Sequence, residues 1–118
     1  MNKTKTIICD IDGTLVKHLN EGLPPQLFNP PILEGTISKL TEWDTLGYNI
    51  ILITGRRESH RKITEEYLSN AGIIYDQLVM GIGGGTRVLI NDLKPNRDEK
   101  TAIAINLTRN EGINNVQI

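Results

Sequence analysis

The sequence feature that most constrains the fold is the run at 49–54 (NIILIT), whose central residues are all apolar. A strand with one solvated face alternates apolar and polar residues, whereas a continuous apolar run needs cover on both faces. Such runs are typical of the middle of a parallel sheet, where crossover segments, usually helices, join the strands. The run therefore predicts an α/β fold.

The rest of the sequence supplies strands and helices in alternation. Short apolar runs predict further strands over 6–9, 77–80 and 87–90, and three- or four-residue apolar spacing predicts helices over 34–46 and 58–70. This alternation predicts a mostly parallel, Rossmann-like sheet with right-handed crossovers and helices on both faces. The segment 101–107 (TAIAINL) favours a strand, with a final helix as the competing interpretation.

Apolar spacing also predicts which helical residues face the core. They are Ile37, Leu40, Trp43 and Leu46 on the first helix, and Ile63, Tyr67 and Leu68 on the second. The stretch 20–31 contains four prolines and a glycine, which exclude a regular helix and predict a surface loop.

Length and composition limit the class of protein. A chain of 118 residues predicts one domain, 1–118, and the net charge of −1 gives no overall attraction to nucleic acid or anionic membrane. The single cysteine excludes an internal disulfide framework and a multi-cysteine zinc site. No apolar window approaches 18 residues, and the polar first residues are unlike a secretory signal, so we expect a cytoplasmic protein without a membrane span.

Polar side chains follow three of the predicted strands. Asp10 and Asp12 follow the first, Thr54 ends the second, and Asn91 and Asp92 follow the fourth. In a parallel sheet these positions meet at one edge, outside the carboxyl ends of the strands, where ligands bind. Carboxylates brought together in this way tolerate each other around a divalent cation, and Mg²⁺ prefers such hard oxygen ligands.

This set of groups is suited to phosphoryl transfer. One carboxylate can attack phosphorus and form an aspartyl phosphate. The metal offsets repulsion between the nucleophile and the phosphate. The second carboxylate, two residues on, can protonate the leaving oxygen and later deprotonate a water. Each aspartate also has a purely structural interpretation, because Asp shapes turns and caps helices.

Three motifs carry a resemblance to a known family. The segments 9–15 (CDIDGTL), 50–56 (IILITGR) and 88–92 (VLIND) resemble the first, second and fourth motifs of the haloacid dehalogenase (HAD) superfamily. They occur in the family's order and cover nearly the whole chain. The resemblance implies a HAD-like α/β fold and a Mg²⁺-dependent phosphatase.

The resemblance also implies roles for individual residues. Asp10 would be the nucleophile and a metal ligand, and Asp12 the general acid/base, with its backbone carbonyl on the metal. Asp92 would complete the Mg²⁺ site, with Asn91 as its neighbour or alternative ligand. On the substrate side, Thr54, Gly55 and Arg56 would bind the phosphate.

One family motif has no counterpart at its usual place. The family has a lysine, usually before the fourth motif, that neutralises the nucleophile and the phosphate, and 80–87 (MGIGGGTR) contains none. Lys94 is the first choice as a substitute, with Arg56 and Arg87 as alternatives. The gap also favours a different class of function, a catalytically weak domain that binds a metal and phosphate.

The intervals between motifs are too short for the cap domain that many relatives carry. An open site suggests a bulky substrate, or closure by another subunit or by the proline-rich loop at 20–31. Capless relatives include phosphatases that act on proteins, nucleic-acid ends and phosphosugars, and the resemblance implies a small phosphorylated substrate such as a sugar phosphate. The stretch 47–81 also looks like the phosphatase domain of polynucleotide kinase, which implies a nucleic-acid end bearing a 3′-phosphate as the alternative substrate. The sequence leaves the oligomeric state open.

Overall fold

The computed structural model describes residues 4–19, 29–96 and 98–118. These residues contain a parallel sheet of three strands, β1 (Thr6–Asp10), β2 (Asn49–Ile53) and β3 (Gln77–Val79), in the order β1-β2-β3. The helices are α1 (Thr36–Thr45) and α2 (Arg61–Ala71), and a short 3₁₀ helix at Glu58–His60 precedes α2. The α/β class and the strand–helix alternation through β3 are thereby confirmed.

The register brings the ends of β1 and β2 together. Asp10 lies beside Ile53, and Ile53 lies beside Val79 on its other side. β2 is therefore the central strand and is hydrogen-bonded along both edges. This position places Thr54 next to the end of β1.

One face of the sheet carries the core. Cys9, Ile50 and Leu52 are buried in a single apolar cluster with Leu40 of α1 and Leu68 of α2. Both helices thus pack on the same face, and the prediction of helices on both faces is wrong for the described residues. The reason is topological, because the strand order advances in one direction and two right-handed crossovers then leave the sheet on the same side.

The opposite face of the sheet is more exposed. Ile8 on β1 is 49% exposed and Val79 on β3 is 38% exposed. Ile51 and Ile53 of the central strand lie between them and are half-buried. Only the buried face of the sheet therefore contributes to the common core.

Each helix buries fewer of its apolar residues than its sequence predicts. On α1, Leu40 and Trp43 are buried, but Ile37 and Leu46 are exposed, and Leu46 lies just beyond the last helical residue. On α2, Leu68 is buried, whereas Ile63 and Tyr67 are half-buried. α1 follows Gly35, whose φ of 88° lies in the left-handed region that favours glycine.

The described residues after β3 form neither helix nor strand. The strand predicted over 87–90 is wrong, since Val88, Leu89 and Ile90 are 78%, 60% and 89% exposed and pair with no strand. The segment 101–107 likewise forms neither a strand nor the alternative helix. Local β propensity cannot form a strand unless a neighbouring strand accepts its hydrogen bonds, and within the described residues none does here.

The chain then returns to the loop that follows β1. The Asn110 backbone N–H donates to the Gly13 carbonyl at 2.8 Å, and the Asn110 side-chain oxygen accepts from the His18 backbone N–H at 2.7 Å. Ile113 joins the core, and its N–H donates to the Glu34 carbonyl at 3.1 Å. The C-terminal residues therefore brace the loop on which Asp12 lies.

Most of the loop predicted at 20–31 lies outside the described residues, which resume at Asn29. Its end is fixed to α2, where the Tyr67 hydroxyl donates to the Pro30 carbonyl at 2.5 Å. Among the helices in the described parts of the chain, none is long and apolar enough to cross a bilayer.

Candidate active site

The loop after β1 is a tight turn built around Ile11. The carbonyl of this buried residue accepts the backbone N–H groups of Thr14, Leu15 and Val16 at 2.9–3.2 Å. Gly13 closes the turn with φ of 87°, and its N–H donates to the Val16 carbonyl at 2.7 Å. The sequence DIDGT thus folds locally into a rigid bend that holds one aspartate on each side of a buried isoleucine.

Asp10, the last residue of β1, is partly buried. Burial raises the pKa of its carboxyl above the usual value, and the negative charge of Asp12 raises it further. The Ile11 backbone N–H and the positive charges of Arg87 and His18 act in the opposite direction. An ionised Asp10 is therefore held against an electrostatic cost, as expected of a group that functions beside a cation or a cationic side chain.

Asp12 is bound by Arg56. The Arg56 Nε donates to Asp12 Oδ2 at 2.9 Å, and its Nη2 donates to Asp12 Oδ1 at 2.6 Å. The Arg56 side chain is 10% exposed and the Asp12 side chain is 23% exposed. This planar, two-point ion pair fixes the direction of the carboxylate as well as its position.

Thr54 connects the same group to β2. Its hydroxyl lies 3.5 Å from Asp12 Oδ2 and accepts the Arg56 backbone N–H at 3.1 Å. Thr54 is buried, and its own backbone N–H donates to the Val79 carbonyl at 3.0 Å. The ends of all three strands therefore meet at this point, and the structure brings Asp12, Thr54 and Arg56 into direct contact.

Thr64 is a member of the site that sequence analysis missed. The Arg56 Nη1 donates to the Thr64 hydroxyl at 3.3 Å, and Thr64 is 1% exposed on α2. The available signal was its position four residues before Leu68, which places a polar side chain on the buried face of the helix. α2 thereby helps to hold the guanidinium that binds Asp12.

Gly55 is enclosed by the loop after β3. A Cβ built on Gly55 would lie 2.7 Å from the Gly83 carbonyl oxygen. The Gly81 N–H also donates to the Arg56 carbonyl at 2.7 Å. The glycine-rich segment 81–85 packs directly against the candidate phosphate-binding residues.

Arg87 lies at the end of this glycine segment. Its Nη1 and Nη2 donate to the carbonyls of Gly85 and Gly83, each at 2.8 Å. The Gly83 carbonyl is the one that approaches Gly55. The side chain is thus anchored on the loop that borders the site.

The remaining predicted residues lie in the segment after β3. The Lys94 ammonium pairs with Asp92 Oδ1 at 2.7 Å, and the two side chains are 44% and 64% exposed. Asn91 donates through its amide to the Thr101 carbonyl at 3.2 Å. Because the predicted fourth strand is not formed, these residues do not end a strand of the sheet.

The positions of the acidic residues indicate what kind of metal site the chain could form. Within 4–19, 29–96 and 98–118, no group of three or more His, Cys, Asp or Glu side chains is arranged to hold a metal ion. Mg²⁺, however, is commonly held by one or two carboxylates together with waters and substrate phosphate. Asp10 fits this pattern, since its oxygens are hard donors and the nearby Asp12 charge adds a repulsion that a cation would relieve.

Cys9 is not a nucleophile. It is 8% exposed, and burial, with a smaller contribution from the Asp10 charge, raises the pKa of its thiol to about 12. The thiolate that would react is therefore essentially absent at neutral pH. Cys9 therefore serves as a small apolar residue beside the site.

Several solved structures resemble this chain. Two structures of the Pnkp1/Rnl/Hen1 complex, one described as an RNA repair complex, contain a similar chain at 31% and 29% identity, with TM-scores of 0.55 and 0.53. The matches cover 72% and 80% of this chain but only 30% and 28% of the other, so this chain spans less than a third of that relative.

Two further structures also match. A Vibrio cholerae protein, crystallised as target APC26283, is 24% identical with a TM-score of 0.56, over 75% of this chain and 80% of that one. A D,D-heptose 1.7-bisphosphate phosphatase from B. bronchiseptica, complexed with magnesium and phosphate, is 17% identical with a TM-score of 0.48, over 69% of this chain and 51% of that one. No family model matches the chain, and no curated protein matches it.

Proposed function

We propose that this chain is a haloacid dehalogenase-like domain of the phosphatase type. In this proposal it hydrolyses a phosphomonoester, with Asp10 as nucleophile and Asp12 as general acid/base. The proposal rests on the place where the ends of β1, β2 and β3 meet. There, a partly buried aspartate lies two residues from a second aspartate, which Arg56 and Thr54 contact.

The proposed reaction has two steps. In the first, an Asp10 carboxylate oxygen attacks phosphorus and the bond from phosphorus to the ester oxygen breaks. Asp12, which this step requires in its protonated form in place of the ion pair with Arg56, gives its proton to the leaving alcohol. In the second, Asp12 takes a proton from water as the water oxygen attacks phosphorus. Inorganic phosphate leaves, Asp10 regains its carboxylate, and Asp12 regains its proton.

The residues around Asp12 assist this proton transfer by holding the carboxyl group in place. Arg56 and Thr54 fix the direction of the carboxylate through the contacts described above. Orientation of this kind matters because a proton donor must lie within hydrogen-bond distance of the oxygen that it serves. Gly55 lets the Gly83 carbonyl approach closely, so the loop after β3 packs beside Thr54.

Mg²⁺ is the proposed cofactor. The Asp10 carboxylate and the Asp12 backbone carbonyl would hold it, with Asp92 or Asn91 as a further ligand if the segment 87–92 approaches the site. When bound, the cation offsets the repulsion between the Asp10 carboxylate and the phosphate. The pairing of Asp92 with Lys94 favours a site in which water and substrate supply the other ligands.

The proposed substrate is a small phosphorylated molecule, such as a sugar phosphate. A second candidate, a nucleic-acid 3′-phosphate, is favoured by the 31% identity to a chain of the Pnkp1/Rnl/Hen1 complex. The third is a catalytically weak domain that binds metal and phosphate, favoured by the exposed position of Asp92 and Lys94.

Phosphate release from a panel of substrates tests the proposal. The panel contains sugar phosphates, nucleotides and 3′-phosphorylated oligonucleotides, each measured with Mg²⁺ and with EDTA. We expect turnover that requires Mg²⁺ and disappears in Asp10→Asn, while Asp44→Asn, which alters an exposed carboxylate on α1, retains it. Wild-type protein that binds Mg²⁺ but releases no phosphate from any substrate would support the third candidate instead.

Salt dependence then separates the first two candidates. Binding of a polymeric 3′-phosphorylated oligonucleotide releases counterions and weakens steeply as salt rises, whereas binding of a small phosphosugar changes little. The preferred substrate should therefore show a KM that is nearly independent of salt if it is a small molecule. A steep rise of KM with salt would assign the site to nucleic-acid ends.

A further inference from the structure

We propose that the cavity between α2 and the segment 29–32 receives the leaving group of the substrate and selects an uncharged one that carries hydroxyl groups, such as a sugar ring. This inference rests on the proposed phosphatase function and adds to it the part of the chain that recognises the substrate beyond its phosphate. It favours the first of the three candidate functions over a nucleic-acid end.

The cavity has two walls that are joined by a hydrogen bond. One wall is the segment 29–32, and the other consists of Tyr67, Asn70 and Ala71 near the end of α2. The Tyr67 hydroxyl donates to the Pro30 carbonyl at 2.5 Å and so holds the walls together. The volume is about 330 Å³. Small-molecule sites begin at about 300 Å³, so the cavity is suited to a single ring rather than to a length of polymer.

The first wall is connected to the loop on which Asp12 lies. Val16 forms one β-bridge to Asp12 and another to Ile32. The Lys17 N–H also donates to the Pro31 carbonyl at 2.9 Å. Bridged segments lie about 4.8 Å apart, so Ile32 is within roughly 10 Å of Asp12. The backbone therefore fixes this wall beside the proposed general acid/base.

The second wall is connected to the same aspartate through α2. The Arg56 guanidinium binds Asp12 at two points and donates to the Thr64 hydroxyl at 3.3 Å. Tyr67 follows Thr64 by three residues, and residues with this spacing are neighbours on one face of a helix. Both walls thus extend from groups adjacent to Asp12. Because Asp12 is proposed to protonate the leaving oxygen, the rest of the leaving group lies on this side of the site.

The residues of the cavity favour an uncharged ligand. None of the described residues that line it carries a charge. Asn29 and Asn70 are exposed, one on each wall, and each amide offers two donors and an acceptor to hydroxyl groups. The Tyr67 ring and the two prolines supply apolar surface for the carbon atoms of a sugar ring. A nucleic-acid strand, in contrast, brings phosphates whose binding depends on Lys and Arg.

The test changes Asn70 in two ways on the full 118-residue chain. Asn70→Leu keeps the shape of the side chain and removes its amide, whereas Asn70→Trp fills the cavity. Ser69→Leu and Ser69→Trp are the matched controls, because Ser69 is exposed on the same helix and does not line the cavity. Circular dichroism checks the fold of each variant, and Asn70→Ala replaces an Asn70 variant that does not fold.

Two substrates separate recognition of the leaving group from recognition of the phosphate. One is the preferred sugar phosphate of the panel, and the other is acetyl phosphate, whose leaving group is too short to reach the cavity. We expect Asn70→Leu to lower the ratio of the two kcat/KM values, sugar phosphate over acetyl phosphate, about tenfold, as loss of a hydrogen bond to the substrate does. Asn70→Trp should lower this ratio at least as much, and the Ser69 variants should keep the wild-type ratio.

Two results overturn the inference and leave the phosphatase function intact. The first is an unchanged ratio in both Asn70 variants, or an equal change in the Ser69 variants. The second is a wild-type preference for the 3′-phosphorylated oligonucleotide over every sugar phosphate.

Binding keeps the inference separate from the proposed function. If the wild-type protein releases no phosphate from any substrate, the phosphatase proposal fails, and ligand-observed NMR then measures the affinities of glucose 1-phosphate and glucose 6-phosphate in Mg²⁺. Weaker binding by Asn70→Trp than by wild type and Ser69→Trp supports a sugar-binding cavity. Equal affinities, or no binding of either compound by wild type, overturn it.

Discussion

Arg56 binds both carboxylate oxygens of Asp12, at 2.6 and 2.9 Å, across the junction between β2 and the loop that follows β1. The two residues are 44 positions apart in the chain, so only the folded sheet brings them together. With the Thr64 and Thr54 contacts, this ion pair connects three structural elements around the proposed general acid/base.

A double-mutant cycle measures this contact. From the unfolding free energies of wild type, Asp12→Ala, Arg56→Ala and the double variant, we expect a coupling of about 2 kcal/mol, since a partly buried, charged two-point pair lies near the upper part of the range for neighbouring residues. Arg56→Lys, which cannot form both bonds, should retain less than half of that coupling. A coupling below about 0.5 kcal/mol, the range of exposed pairs, would contradict the geometry.

Gly55→Ala should disturb the site by steric conflict. The new Cβ would lie 2.7 Å from the Gly83 carbonyl, so the loop after β3 must move. We expect a loss of about 1–3 kcal/mol in chemical denaturation, as in other overpacked positions, together with lower phosphatase activity.

Gly84→Ala is the matched control for this substitution. A Cβ at Gly84 meets nothing within 4 Å. The change in the free energy of unfolding should remain within about 0.5 kcal/mol, as for ordinary surface substitutions. Equal destabilisation by the two variants would show that the glycine segment as a whole, rather than the contact at Gly55, resists substitution.

The correct sequence predictions concern elements that are determined by their own residues and immediate neighbours. The apolar run of β2 predicts the central strand of a parallel sheet, and β2 does lie between β1 and β3. Its predicted cover on both faces is found on one face only among the described residues. The same reasoning places Asp10 and Thr54 at one edge, because parallel strands end together. Their catalytic roles remain predictions, although the edge itself is formed as expected.

The wrong sequence predictions concern segments whose structure depends on contacts with residues far away in the chain. The residues at 87–90 have high β propensity, but they pair with no strand in the described parts of the chain, and Ile90 is 89% exposed. The expected positions of Asp92 and Lys94 depended on that strand. The Arg56–Asp12 pair was missed for the same reason, because no sequence spacing determines which of several basic residues near 56–62 turns toward the loop after β1.

The buried thiol of Cys9 should be unreactive in the native protein. Its pKa is raised to about 12, chiefly by burial, so the thiolate fraction at pH 8.5 is very small. Iodoacetamide should alkylate the native chain at least roughly a thousandfold more slowly than the chain in denaturant, where the thiol has its ordinary pKa. Cys9 is the only cysteine, so mass spectrometry gives the rate directly. Native and denatured rates within tenfold of each other would contradict the burial of this residue.

Asp10→Asn should stabilise the protein at neutral pH in the absence of metal. The folded-state pKa of Asp10 is raised, by burial first and by the Asp12 charge in addition, so the folded protein holds this proton more tightly than the unfolded chain. The contribution of Asp10 to stability is therefore fully present below the unfolded pKa of 3.8 and is lost as pH rises through the folded pKa. At pH 7 the full cost of the ionised carboxylate is present, and the asparagine removes it.

Thermal unfolding in EDTA checks this expectation. The Tm of Asp10→Asn should exceed that of wild type at pH 7, and the difference should disappear near pH 3, where the wild-type carboxyl is neutral as well. Asp44→Asn, an exposed position on α1, should show no such gain. Addition of Mg²⁺ should then raise the Tm of wild type more than that of Asp10→Asn, since a ligand stabilises the folded state that binds it. A Tm for Asp10→Asn at or below that of wild type at pH 7 would show that Asp10 is not held at an electrostatic cost.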